Sequence, residues 1–170
     1  MKPEFVALVE QYSAEIFAYL WRMLRDTADA EDCLQEAYLR AFRSYTRVRV
    51  GTNYRAWLYK IATNAAHSHF KRRLRDEIHT IDLDPDLQSD HLSPPEQAEQ
   101  SCLLNTVRQA VEALPDQQRA ALIMRKYQDL SYTEIASALD CTEAAARANV
   151  YQALKKLRTQ LAAEEVVSYG

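Results

Sequence analysis

The stretch LSYTEIASALDCTEAAARANVYQALKKLR, residues 130–158, decides the fold. It holds two amphipathic segments separated by a break with room for only a tight turn. Ser131 and Glu134 stand at the spacing of a capping box, in which the serine hydroxyl accepts from the amide three residues on and the glutamate reaches back to the serine amide. Ile135, Ala136 and Leu139 follow at helical steps and face inward. Asp140 sits where the first helix must stop and belongs to a residue type that tolerates the left-handed conformation. Thr142 caps a longer second helix with Val150, Leu154 and Leu157 on its buried side. With small Ala136 where the helices approach, this is the pattern of a helix-turn-helix. A generic αα-hairpin shares the apolar spacing. The exposed groups favour DNA: Thr142, Glu143, Ala144, Arg147 and Asn149 are small or polar and fit a major groove, while Lys155, Lys156 and Arg158 are placed for phosphates. Upstream, LPDQQRAALIMRKY (114–127) reads as a supporting helix begun by Pro115, with Arg119, Arg125 and Lys126 expected to position the DNA backbone.

The rest of the chain is also helical. Two glycines in 170 residues, Gly51 and Gly170, leave little material for β-turns and exclude Walker, GxGxxG and GxSxG loops. In the first half Phe5, Leu8, Tyr12, Ile16, Tyr19 or Leu20, and Met23 recur at helical spacing, as do Ala30, Leu34, Ala37, Ala41 and Tyr45. These two helices are expected to pack antiparallel across a turn near Asp26 and Thr27. Residues 47–53 form a loop, and Asn53 or Thr52 caps a third helix of about 22 residues with Tyr54, Leu58, Ile61 and Ala65 as its apolar stripe. Lys60, Asn64, His67, Lys71 and Arg75 form a polar stripe beside it. Trp57 lies at the border of the two.

Charge divides the chain. The net charge is −3, yet residues 37–75 hold ten Lys or Arg and no carboxylate, while residues 76–107 hold eight carboxylates and no Lys or Arg. Like charges on one helix repel, so the basic block asks for an anionic partner. Interleaved Tyr38, Phe42, Tyr45, Tyr54, Trp57, Tyr59 and Phe70 give unpaired bases surfaces to stack on, which points to single-stranded nucleic acid. The acidic segment DEIHTIDLDPDLQSDHLS (76–93) reads as a linker. A capping box at Ser93-Pro94-Pro95-Glu96 then opens a second domain.

Other classes recede. Three cysteines far apart, Cys33, Cys102 and Cys141, make neither a disulfide framework nor a zinc site. His67 and His69 point about 200° apart on a helix, so no metal site is expected. Without an 18-residue apolar run, and with Glu4 and Glu10 interrupting the N-terminus, membrane insertion is not expected and the cytoplasm is. A helical nuclease needs carboxylates or metal beside its basic groove, and the basic block has none, so no enzyme and no cofactor are expected. A stand-alone helix-turn-helix regulator remains a rival, but it leaves the basic block unexplained.

DAEDCLQEAYLRAF (29–42), YRAWLYKIATNAAHSHFKRR (54–73) and LPDQQRAALIMRKY continuing through the helix-turn-helix to Arg158 together resemble an extracytoplasmic-function (ECF) sigma factor of bacterial RNA polymerase. The resemblance covers about residues 4–160. It implies an all-α protein of two small helical domains, a region 2-like domain over 1–75 and a region 4-like domain over 96–162. An acidic linker over 76–95 joins them, and 163–170 is a tail. By the same resemblance Asp29, Asp32, Gln35 and Glu36 dock on the β′ coiled coil of core RNA polymerase, with Cys33 in place of a larger aliphatic. For promoter DNA the resemblance implies that a loop from Tyr45 to Asn53, including Arg47 and Arg49, captures a base of the minus-ten element. Trp57, Asn64 and His67 line the single strand, and Lys60, Lys71, Arg72 and Arg73 hold phosphates. Region 4 then reads the minus-thirty-five element through Thr142, Glu143, Ala144, Arg147, Tyr151 and Lys155, helped by Arg119, and receives the β flap. The family often has Gly-Thr-Val-Lys-Ser-Arg where this chain has residues 144–149, so the role carries over better than the target sequence. An anti-sigma protein is admitted as a further partner. The acidic linker is also expected to fold back on the basic block in the free protein, through Asp82, Asp84, Asp86 and Asp90.

Overall fold

The computed structural model describes residues 1–80 and 98–168, and within them it contains seven helices and no strand. They are α1 (Phe5–Leu24), α2 (Thr27–Tyr45), α3 (Tyr54–Thr80), α4 (Ala98–Glu112), α5 (Asp116–Lys126), α6 (Tyr132–Leu139) and α7 (Glu143–Ser168). Most of the linker and the Ser93–Glu96 capping box lie outside the described residues.

Helix ends follow local chemistry. Arg25 closes α1 in the left-handed conformation (φ 58°), and the Asp26 carboxylate accepts the Asp29 amide at 2.9 Å to start α2. Asn53 caps α3 by accepting the Ala56 amide at 3.0 Å. The Ser131–Glu134 capping box is formed, Asp140 ends α6 at φ 57°, and Thr142 Oγ1 accepts the Ala145 amide at 3.1 Å. Satisfying orphan amides this way is worth about 1 kcal/mol per cap.

In the N-terminal half α1, α2 and α3 pack on one another. Leu8, Ile16, Tyr19, Leu20 and Met23 of α1 are buried as the spacing predicts. On α2 the buried row is Ala30, Cys33, Ala37 and Ala41, so Cys33 takes the place expected for Leu34, which is half-buried. Small side chains along this row let α2 lie close to both neighbours. On α3 the row is Leu58, Tyr59, Ala62, Ala65 and Ala66, with Ile61 only half-buried. Tyr59 is drawn inside because Glu15 accepts its hydroxyl at 2.8 Å and Tyr19 stacks edge-on at 5.1 Å. α3 continues to Thr80, past the expected end at residue 75. Residues 76–80 change the charge but contain no helix breaker, and the first proline beyond is Pro85.

In the C-terminal half α4, α5 and α6 gather on α7, and α6 also packs on α5. Ile123, Met124, Leu130, Ile135, Leu139, Ala146 and Val150 are buried there. The two halves do not stand apart: α3 packs on α6 and α1 on α5, and their buried residues merge into one apolar cluster.

Candidate nucleic-acid interface

The loop after α2 is pinned from the N-terminus. Lys2 Nζ donates to the carbonyls of Tyr45 and Val48, the latter at 2.9 Å, and lies 4.1 Å from the centre of the Tyr45 ring. The Tyr45 hydroxyl donates to the Pro3 carbonyl. Gly51 adopts φ 85°, so glycine is needed there for its backbone and not for space, since an added Cβ would meet nothing within 4 Å. Around this loop Phe5, Phe42, Tyr45, Tyr54 and Trp57 form an aromatic cluster, with Tyr45 to Trp57 at 6.0 Å and Phe5 to Tyr45 at 5.3 Å. Trp57 is half-buried. Arg47, Arg49 and Asn53 are exposed beside the cluster.

Along α3, at about 100° per residue, Asn53, Trp57, Lys60, Asn64, His67, Lys71 and Arg75 share one side. Arg72 and Arg73 do not: Arg72 turns to α2 and pairs with Glu36 at 2.9 Å, and Arg73 pairs with Glu77 at 3.5 Å. His67 is also displaced from its expected role. Its Nε2 is enclosed and has no hydrogen-bond partner, and burial pushes its pKa down, against Asp116, which pulls it up.

Half of the ten cations are therefore answered within the chain. Arg40 and Arg72 share Glu36, Arg55 binds Glu15, Lys60 lies 3.5 Å from Asp140, and Arg73 binds Glu77. Arg43, Arg47, Arg49, Lys71 and Arg75 have no ion-pair partner among the described residues, and all five are exposed.

Of the four α2 residues expected at the polymerase, Asp29 faces His69 Nε2 at 3.2 Å and Glu36 serves the two arginines. Burial pushes the Glu36 carboxyl up, but Arg72 and Arg40 outweigh it and hold it below the usual range. Asp32 and Gln35 are exposed. Sequence reasoning missed what stands beside them, an open apolar groove lined by Phe5, Val9, Leu34, Tyr38, Leu39 and Phe42. Phe42 is 63% exposed and Leu39 52%. The available signal was their spacing: two large apolar residues three apart on α2, outside its buried row. Cys33, on the α3 side of α2, where its thiol donates to the Ala65 carbonyl at 3.9 Å, has that thiol pushed up to about 11 by burial and then by Glu36 and Asp29, which keeps it unreactive.

On α7 the exposed side carries Thr142, Glu143, Ala144, Arg147, Ala148, Tyr151 and Lys155 in helical register. Glu143 accepts the Thr133 hydroxyl. Arg147 stacks over the Tyr132 ring at 4.5 Å, and Arg125 covers that ring at 4.4 Å. Arg119 is not part of this face. It is 8% exposed, and its guanidinium donates to the carbonyls of Glu112, Leu114 and Met23 at 2.6, 3.2 and 3.4 Å and lies over Phe70 at 5.1 Å. An arginine enclosed in this way presents no donor to a phosphate at the surface.

A helix-turn-helix with an exposed second helix, and a basic helix beginning at an aromatic-lined loop, define a DNA-binding protein of transcription. The Sigma-70 region 2 family matches residues 8–76, and the family described as Sigma-70, region 4 matches residues 104–157. The RNA polymerase sigma-H factor of Pseudomonas aeruginosa is 32% identical over 160 residues, covering 89% of this chain and 83% of that protein. The ECF RNA polymerase sigma factor SigX of Bacillus subtilis is 31% identical over 165 residues, covering 95% and 85%. In fold, the chain is similar to the sigma factor RpoE of Bartonella quintana, solved with the anti-sigma factor NepR, at a TM-score of 0.71 and 20% identity over 92% of this chain and 96% of that one. CnrH, solved with the cytosolic domain of CnrY, gives 0.67 and 18% over 94% and 88%. The chain belongs to the ECF RNA polymerase sigma factors and directs promoter-specific initiation of transcription by RNA polymerase. No helix of the described residues is long and apolar enough to cross a membrane.

Proposed function

We propose a division of labour among the helices. The outer face of α2, where exposed Asp32 and Gln35 adjoin the groove of Leu39 and Phe42, docks core RNA polymerase on the β′ coiled coil. The loop from Tyr45 to Asn53 and the side of α3 bearing Trp57, Lys60, Asn64 and Lys71 receive the opened minus-ten strand, with Arg47 and Arg49 on its phosphates. The face of α7 from Thr142 through Lys155 reads the minus-thirty-five element, and the C-terminal half receives the β flap. Arg72 and Arg73 fall outside these contact sets because they turn away from the Lys60 side of α3, and Arg119 and His67 because their polar atoms are engaged or enclosed. The protein works in the cytoplasm as an initiation factor with no chemistry of its own, and an anti-sigma protein is its further partner, as in the similar structure solved with NepR.

The observation that carries this reading is the coincidence on α2 of an exposed acid, Asp32, with an exposed apolar groove. A contiguous exposed apolar patch such as the one Leu39 and Phe42 share with Phe5 and Val9 marks an interaction site. The experiment is size-exclusion chromatography of the chain with core RNA polymerase, repeated with Asp32→Lys and Phe42→Ser. Co-elution of the wild type and its loss in both variants is expected. Co-elution that survives both variants would remove α2 as the docking helix.

A further inference from the structure

Resting on the reading of the 45–53 loop as part of the minus-ten surface, we propose that Lys2 and Pro3, in the segment ahead of α1, are positioning residues for that loop. They strap its first half into the shape that receives the strand, without touching DNA themselves.

The two halves of the loop have different support. The second half is closed by its own residues. The Arg49 carbonyl accepts from the Thr52 amide at 3.3 Å, the Thr52 hydroxyl at 2.8 Å and the Tyr54 hydroxyl at 3.4 Å. The first half only extends α2 by a tightened turn, with the Arg47 amide on the Ser44 carbonyl at 3.0 Å and the Val48 amide on the Tyr45 carbonyl at 3.1 Å. Helix ends of this kind fray, because their last carbonyls have no partner further along the helix. Lys2 supplies one. Its Nζ donates to the carbonyls of Tyr45 and Val48, the latter at 2.9 Å, across 43 and 46 residues of sequence. A cation at that place also meets the negative end of the α2 dipole.

Tyr45 completes the strap from the other side. Its hydroxyl donates to the Pro3 carbonyl, and its ring lies 4.1 Å from Lys2 Nζ with Phe5 at 5.3 Å, Tyr54 at 6.2 Å and Trp57 at 6.0 Å. With ring and hydroxyl both engaged, Tyr45 is the anchor of the loop. Arg47, Arg49 and Val50, the last 65% exposed, are left to meet the strand. A loop already in its binding shape gives up little freedom when the strand arrives. One that holds the shape for only a fraction of the time binds more weakly by that fraction.

The test compares Lys2→Met, which keeps the stem and loses the donor, with Lys2→Arg, which restores donor and charge. Lys2 precedes the first helix, so the fold is kept. Acrylamide quenching of tryptophan in the free chain reads the loop through Trp57; Trp21 lies about 24 Å along α1 from Phe5 and gives a constant background. Transcription by the variants reconstituted with core RNA polymerase reads strand capture, on a promoter selected from a random duplex library by run-off with the wild type. Expected for Lys2→Met are steeper quenching, transcription lower by about three- to tenfold at limiting promoter, and unchanged co-elution with core polymerase. Lys2→Arg should return both readouts toward wild type. Tyr45→Phe, which keeps the ring and drops the bond to Pro3, should move both in the same direction as Lys2→Met and by less. Unchanged quenching in Lys2→Met overturns the strap, since a lysine that merely touched DNA would leave the free chain as it was. Lost co-elution also overturns it, by placing Lys2 on the docking face. The double variant Arg47→Glu/Arg49→Glu separates the two readings. If it transcribes normally, the minus-ten reading of the loop fails; if it does not while Lys2→Met does, the strap alone fails.

Discussion

Arg119 shows how a single side chain changes meaning once its surroundings are known. In the sequence it is one of several cations near a helix-turn-helix and fits a phosphate contact. In the structure it ties α5 to the end of α4 and to α1 through three carbonyls and covers Phe70 of α3. Arg119→Met keeps most of the packing volume but leaves those carbonyls without their donor. It should cost about 2–3 kcal/mol in urea unfolding, with promoter selectivity unchanged in whatever fraction folds. A loss of DNA affinity at unchanged stability would restore the phosphate role. His67 makes a second residue-scale prediction. The groups facing it are Asp116 and Arg119 from α5 and Lys71 from its own helix, and burial is the largest influence, holding its pKa below the usual value. The unfolded chain therefore binds the proton more readily, near pH 6.5. His67 should contribute its full stability above that pH and lose it as pH falls toward the folded value. Urea midpoints at pH 7.5 and 5.5 should diverge less in His67→Gln than in the wild type, and equal divergence would show that the ring is solvated.

At the scale of elements, Asn53 joins structure to function because it is at once the cap of α3 and a member of the proposed strand-binding loop. Asn53→Ala should lose about 1 kcal/mol through the missing cap. Asn53→Asp keeps the cap but places a carboxylate beside Glu134 and in the path of a phosphate. Equilibrium unfolding should thus separate alanine from wild type, while transcription in vitro with RNA polymerase should be weaker with aspartate than its stability explains. Equal transcription by Asp and Asn would take the residue out of the strand-binding set. These caps were legible in the sequence because a cap is a local contract over three or four residues: Ser131 with Glu134, Thr142, Asp140 and Asn53 all stand where their spacing puts them. The exact core rows were less legible. Cys33 replaced Leu34 on the buried side, and Tyr59 displaced Ile61, because three-helix packing selects small side chains at close approaches and because Glu15, 44 residues from Tyr59, supplies a hydroxyl partner. The end of α3 was misplaced because a change in charge resembles a boundary, whereas a helix ends only where its backbone is interrupted. Turning Arg72 and Arg73 away from Lys60 needed only the 100° step, which a count of cations ignores.

At the scale of the whole molecule, the sequence divides the chain by charge, and the structure joins it by burial. The joining contacts run between residues far apart in sequence, such as Arg55 with Gln128 and Arg119 with Met23, and no local pattern records them. They bear on how the chain unfolds. Both tryptophans, Trp21 and Trp57, lie in the N-terminal half, so their fluorescence reports that half alone, whereas far-ultraviolet circular dichroism reports all seven helices. Ile135, at 0% exposure on α6, belongs to the merged cluster beneath α3. Ile135→Ala removes three carbons from that site and should destabilise the C-terminal half by about 2–4 kcal/mol. If the halves share their stability through α3 against α6, the tryptophan midpoint in urea must also move to lower concentration, although neither tryptophan is in the altered helix. The shift should be smaller than that seen by circular dichroism, because the N-terminal half keeps its own three-helix core and loses only what the interface adds. An unmoved tryptophan midpoint would mean that the halves unfold independently and that the contact between them contributes no stability in solution. A tryptophan midpoint shift equal to that seen by circular dichroism would mean that the two halves unfold as one cooperative unit.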